Sequence, residues 1–74
     1  MTEEEYIDAA VCRAPVVCGG IRYDRITAIR FDLAKGAMLE MSNSSGKGVV
    51  VAQPGAVEVA DREMFEAVRR FRRK

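Results

Sequence analysis

Histidine and tryptophan are both absent from the 74 residues. Without histidine the chain has neither the side chain that most often serves as a general base near neutral pH nor the commonest metal ligand. Only two cysteines are present, Cys12 and Cys18. Two thiols six residues apart do not make a four-ligand zinc site. A thiolate nucleophile needs a basic partner or a helix N-terminus. Cys18 has no histidine to call on and precedes Gly19-Gly20 at the end of an apolar run, so packing is the expected role. Aromatic residues make up 7% of the chain, which leaves few rings for stacking bases. Long apolar runs are missing too, so no helix is expected to span a membrane and no membrane partner is expected. The opening "MTEEEY" is acidic and carries no basic n-region or apolar h-region. The expected setting is a reducing cytoplasm with both thiols free.

Hydrophobic residues account for 49% of the chain and charged residues for 31%, a balance that folds. The length suits one domain, residues 1–74, that buries roughly 60% of its unfolded surface. So small a core leaves room for self-association to supply further burial. The net charge is only +1, too near balance for a globally basic nucleic-acid binder. Its distribution is more informative. Glu3, Glu4, Glu5 and Asp8 fall in the first ten residues with no base among them, whereas Arg69, Arg70, Arg72, Arg73 and Lys74 end the chain with no acid. Such ends match helix dipoles, or each other, within the chain or between subunits.

The pattern predicts a short helix over "TEEEYIDAAV", with Thr2 and Glu5 as a capping box and Tyr6, Ala9 and Ala10 inward. Val16–Cys18 reads as a strand and Gly19-Gly20 as a turn or bulge. Residues 21–32 read as one bent strand or two, because Ile26 breaks the alternation that runs Ile21, Tyr23 and later Ile29, Phe31. The register puts Tyr23 and Phe31 in the core and Arg22 and Arg30 in solvent. Asp24 and Asp32 each have a basic neighbour, Arg25 for the first and Arg30 for the second, and solvated ion pairs are expected there. A turn around Lys35-Gly36 leads to a strand with Leu39 and Met41 inward. "VVVA" is a strand, and "QPG" fits a type II turn with positive φ at Gly55. Val57 and Val59 point one way and Glu58 the other, and Asp61 caps a last helix.

"NSSGKG", residues 43–48, is not a phosphate-binding P-loop: the glycine spacing is wrong, no Ser or Thr follows Lys47, and a strand follows rather than a helix. It reads as a hairpin loop with a weak anion contact through Lys47 as its only functional option. On the last helix, Met64, Phe65, Ala67, Val68 and Phe71 fall in one arc roughly 160° wide. Val68 and Phe71 are the expected anchors, Met64 and Phe65 seat the first turn, and Glu66 is spaced to pair with Arg62, Arg69 and Arg70.

The implied fold is α+β: a small curled antiparallel sheet of three to five strands, or a partial barrel, with a short N-terminal helix and a C-terminal amphipathic helix packed on it. No motif marks a catalytic residue, a cofactor site or a metal site. The expected role is a non-enzymatic interaction or accessory domain that self-associates or binds a small protein partner. The alternative is a weak nucleic-acid-binding module that uses Arg69, Arg70, Arg72, Arg73, Lys74 and Lys47.

Overall fold

The computed structural model describes residues 1–43 and 48–72. Helix α1 (Glu3–Cys12) is followed by five strands, β1 (Val16–Cys18), β2 (Ile21–Tyr23), β3 (Arg25–Asp32), β4 (Gly36–Ser42) and β5 (Val49–Ala52). A 3-10 turn (Pro54–Ala56), strand β6 (Val57–Val59) and helix α2 (Arg62–Arg72) complete the order. Two helices thus flank a small antiparallel β structure, as the α+β class requires.

Local chemistry accounts for most of the boundaries. The Thr2 hydroxyl accepts from the Glu5 N–H, and the Glu5 carboxylate accepts from the Thr2 N–H, which satisfies two of the free donors at the start of α1. Arg13 then leaves the helix in the left-handed conformation, at φ 56°. That is an uncommon position for a residue other than Gly or Asn. Gly19 and Gly20 both have positive φ and turn β1 into β2. The Met64 N–H donates to the Asp61 carboxylate at 3.0 Å, so Asp61 caps α2.

The strands do not form one curled sheet or a partial barrel. They form two three-stranded antiparallel sheets, ordered β2-β1-β6 and β3-β4-β5. The phase change at Ile26 has two causes. The chain leaves the first sheet at Tyr23 and enters the second at Arg25, with the Asp24 N–H donating to the Ser42 carbonyl at 3.1 Å. A β-bulge then follows between Ile26 and Ala28. Residues 21–32 are therefore two strands in two sheets. The "QPG" segment also differs from expectation. It is a 3-10 turn with Pro54 at its start, and Gly55 is not in the positive-φ region. Proline's fixed φ suits either turn, so its presence does not choose between them.

The core lies between the sheets and the helices. Val16, Leu39, Met41 and Val57 are fully buried, joined by Tyr6, Ala9, Tyr23, Ile26, Val59 and Phe65. Pairing puts Val16 between Tyr23 and Val59 in the first sheet. In the second, Leu39 lies between Ile29 and Ala52. Phe31 is not in the core. It sits on the face that Leu39 and Ile29 share, but beyond the layer that covers Leu39.

Helix α2 is rotated from the expected orientation. Phe65 is only 2% exposed, while Phe71 is 79% exposed and Met64 and Val68 are also at the surface. The buried direction has moved by roughly 80° around the helix, toward the flank that carries Arg69. Val68 and Phe71 are therefore not its anchors. The two phenylalanines separate these orientations by measurement. Phe65→Ala is expected to cost about 3–5 kcal/mol in urea unfolding, and Phe71→Ala to stay within about 0.5 kcal/mol of the parent.

Candidate functional site

The feature that organises the surface is the seam between the helices. Arg62 reaches Glu5 at 3.1 Å, Arg69 reaches Asp8 at 2.9 Å, and the Arg72 guanidinium donates to the Cys12 sulfur at 3.4 Å. Both sets of numbers rise together, so α1 and α2 run side by side in the same direction. Their acid-rich N-termini share one end of the molecule and their C-termini share the other.

Arg69 is the hub of this seam. Its side chain is 17% exposed and also contacts Glu66 at 2.9 Å and Glu4 at 3.4 Å. Its guanidinium lies 5.4 Å from the centre of the Phe65 ring, a cation–π distance. Hydrogen bonds that its guanidinium donates to Glu66 and Asp8 hold the Arg69 pKa above its ordinary value. At the other end of the seam, the pKa of Glu5 is lowered, first by the Thr2 backbone N–H and then by Arg62. On the sheet, Arg30 pairs with Glu40 at 2.7 Å, and Arg30 followed by Thr27 lowers the Glu40 pKa.

These contacts revise the ion pairs expected near the strands. Arg30 goes to Glu40 rather than Asp32, because the two are diagonal neighbours on one face of adjacent strands. Asp32 instead accepts from the N–H groups of Ala34 and Lys35 and shapes the β3–β4 turn. Asp24 lies 3.5 Å from Arg22.

The candidate contact residues therefore separate. Arg69 is committed to the helix seam. Arg72 contacts Cys12 and lies 3.9 Å from Asp8, at the C-terminal end of that seam. Arg70 is exposed on the outer side of α2. Lys47, Arg73 and Lys74 lie outside the described residues. The structure brings Arg13 and Arg25 together beside Arg22. Arg13 and Arg25 line one shallow depression together, and Arg13 and Arg22 line a groove of 340 Å³. The groove wall includes Pro15, Met64, Phe65 and Val68, and Cys12 also lines it. Among the described residues, Arg13, Arg25 and Arg70 make no ion pair with a carboxylate. Their grouping depends on the turn at Arg13 and the strand change at Asp24, and neither has a sequence signature that places it in space.

Among the described residues, no group of three Cys, Asp or Glu side chains could hold a metal ion. Cys12 and Cys18 are free thiols, each half-buried. No described helix is long and apolar enough to cross a membrane. Comparison with protein-family models, curated proteins and solved structures found no match.

Two outcomes test the seam. Arg69→Ala is expected to lower the urea midpoint more than Arg70→Ala, since of the two only Arg69 reaches α1 among the described residues; equal effects would remove Arg69 as the hub. Glu5 has a folded pKa below its unfolded value, which is about 4.3. Its contribution to stability is therefore complete above that value and is lost as pH falls through the lower folded one. Glu5→Gln should be less stable than the parent at neutral pH, with the gap closing in acid. A gap of constant size down to strong acid would contradict this.

Proposed function

We propose that the protein is a non-enzymatic module that binds the phosphate backbone of nucleic acid weakly, through the end of the molecule where the two helix C-termini meet. The observation that carries this is the separation of charge along the parallel helices. Glu3, Glu4, Glu5 and Glu63 occupy the first turns. Arg13 follows the last turn of α1 and Arg70 and Arg72 lie in the last turn of α2. Arg73 and Lys74 come next in the sequence. A near-neutral chain thereby acquires one basic end, which a total charge of +1 conceals.

Arg69 is not part of this surface, because its donors are already engaged by carboxylates. The contact set is Arg13, Arg70 and Arg72, with Arg73, Lys74 and Lys47 as further candidates from the sequence. Arg22 and Arg13 share a groove with apolar walls. A flexible single strand can place a base against such a wall while its phosphate meets an arginine, so single strands are favoured over duplex.

A different observation supports a second reading, an interaction domain that self-associates. The distal part of strand β3 presents apolar side chains that no described residue covers, and uncovered apolar surface of this kind commonly marks a contact site.

The test is fluorescence anisotropy with a labelled single-stranded oligonucleotide over a range of salt. With about four phosphate contacts the slope of log K against log salt should lie near −3, with dissociation constants of about 10⁻⁴ to 10⁻⁶ M at moderate salt. Removing residues 72–74, or changing Arg13 to Glu, should weaken binding and flatten the slope. No binding at low salt would end the proposal.

A further inference from the structure

Strand β3 is an edge. Among the described residues it pairs with β4 alone in its sheet. One of its faces is apolar, and the cover over that face declines steadily along the strand. Ile26 is 4% exposed, Ile29 42%, Phe31 78% and Leu33, in the turn that follows, 98%. Leu39 and Met41, which share that face on β4, are fully buried. The stripe that begins in the core therefore runs off the end of it. An edge strand with free backbone groups and an uncovered apolar face is a template for another strand.

We infer that the partner for this edge is a second copy of the chain, with the two β3 strands paired antiparallel about a two-fold axis at Ile29. The register follows from the residues. Thr27 is the extra residue of the bulge and has no position of its own opposite β4. With Thr27 set aside in the same way, a two-fold at Ile29 puts Ile29 opposite itself, Ala28 opposite Arg30, Ile26 opposite Phe31 and Arg25 opposite Asp32. Every pair joins side chains of one face to side chains of the same face, as the pleat demands. The end pairs are of opposite charge. Arg25 makes no ion pair with a carboxylate among the described residues, and only Oδ1 of Asp32 is used in the β3–β4 turn. Small Ala28 gives Arg30 room.

The neighbouring two-fold registers are worse. Centring on Ala28 sets Arg25 against Arg30, and centring on Arg30 sets that residue against itself; like charges directly opposed are destabilising. Centring on Phe31 pairs little more than the last three residues of the strand and leaves most of β3 unpaired.

The same symmetry explains the decline in cover. It lays the bare end of each β3 beside the covered start of the other, where α1 packs on the strand. Ile7 and Val11, the exposed apolar residues of α1, then lie on the helix nearest the incoming Phe31 and Leu33. Two three-stranded sheets become one of six strands, and both edges are satisfied.

The test uses cysteine cross-linking on a chain with Cys12→Ser and Cys18→Ser, checked for folding by circular dichroism. Directly opposed residues have Cβ atoms about 4.5–5.5 Å apart, close to what a disulfide needs. Positions 31 in the two copies are offset by roughly 13 Å along the strands. Mild oxidation should link Ile29→Cys into a covalent dimer and leave Phe31→Cys as monomer. Sedimentation should show the cysteine-free chain as a dimer at micromolar concentration. Ile29→Lys should give a folded monomer that still binds the oligonucleotide, which separates this interface from the phosphate-binding end. A monomeric parent, linkage at position 31 without linkage at 29, or a dimer untouched by Ile29→Lys would each overturn the inference.

Discussion

The placement of Arg69 is the constraint on which the rest of the molecule depends. Its guanidinium sits among Asp8 and Glu4 of α1 and Glu66 of its own helix, over the ring of Phe65. Exposed ion pairs contribute little each, so the seam is better understood as setting an orientation than as the main source of stability. The orientation it sets is specific. Turning Arg69 toward α1 brings Phe65 into the core and carries Met64 and Phe71 out to solvent. It also aligns the helices in parallel, and that alignment separates the acidic end from the basic one. The apolar wall of the groove beside Arg13 exists because Met64 and Val68 were released from packing.

The second constraint is size. Among the described residues, ten buried side chains serve two sheets and two helices, and this core is not wide enough to cover a strand as long as β3. The short strands β1 and β6 are matched to it. Val16, Val57 and Val59 all reach the interior, while β3 carries Phe31 and the turn at Leu33 beyond it. A small domain buries a smaller share of its surface, and apolar side chains stay exposed on both helices and on β2, β3 and β5, most of all Phe31 at the end of β3, Leu33 in the turn after it and Phe71 on α2. Basic arginines lie near the helix ends, and a continuous apolar stripe runs along the outer strand.

Much of the fold was legible because its signals are local. Thr2 with Glu5, Gly19-Gly20 and Asp61 each specify hydrogen bonds or φ values within a few residues, and each is found where the pattern placed it. Alternation correctly put Leu39 with Met41, and Val57 with Val59, on the inner face. The failures are of another kind. Alternation assigned Phe31 to a face, correctly, but whether anything covers that face depends on residues far away in the chain. The arc on α2 was real, yet a helix also turns to satisfy its charges, and Asp8 lies sixty-one residues from Arg69. The basic tail was visible from composition. Arg13 and Arg25 were not visible as its neighbours, because a left-handed residue and a change of sheet bring them together.

The sequence by itself determined the class of the fold, the helix caps, the turns made by glycine pairs and the inward residues of the short strands. Those follow from steric limits and hydrogen bonds that act over a turn or a pleat. Only the tertiary structure decided how the β elements divide into two sheets, which flank of α2 is buried, which arginines are engaged and which stay open, and which apolar stripe is left bare. Each of these is a competition among distant groups for a limited interior and a few carboxylates, and no local pattern records its outcome.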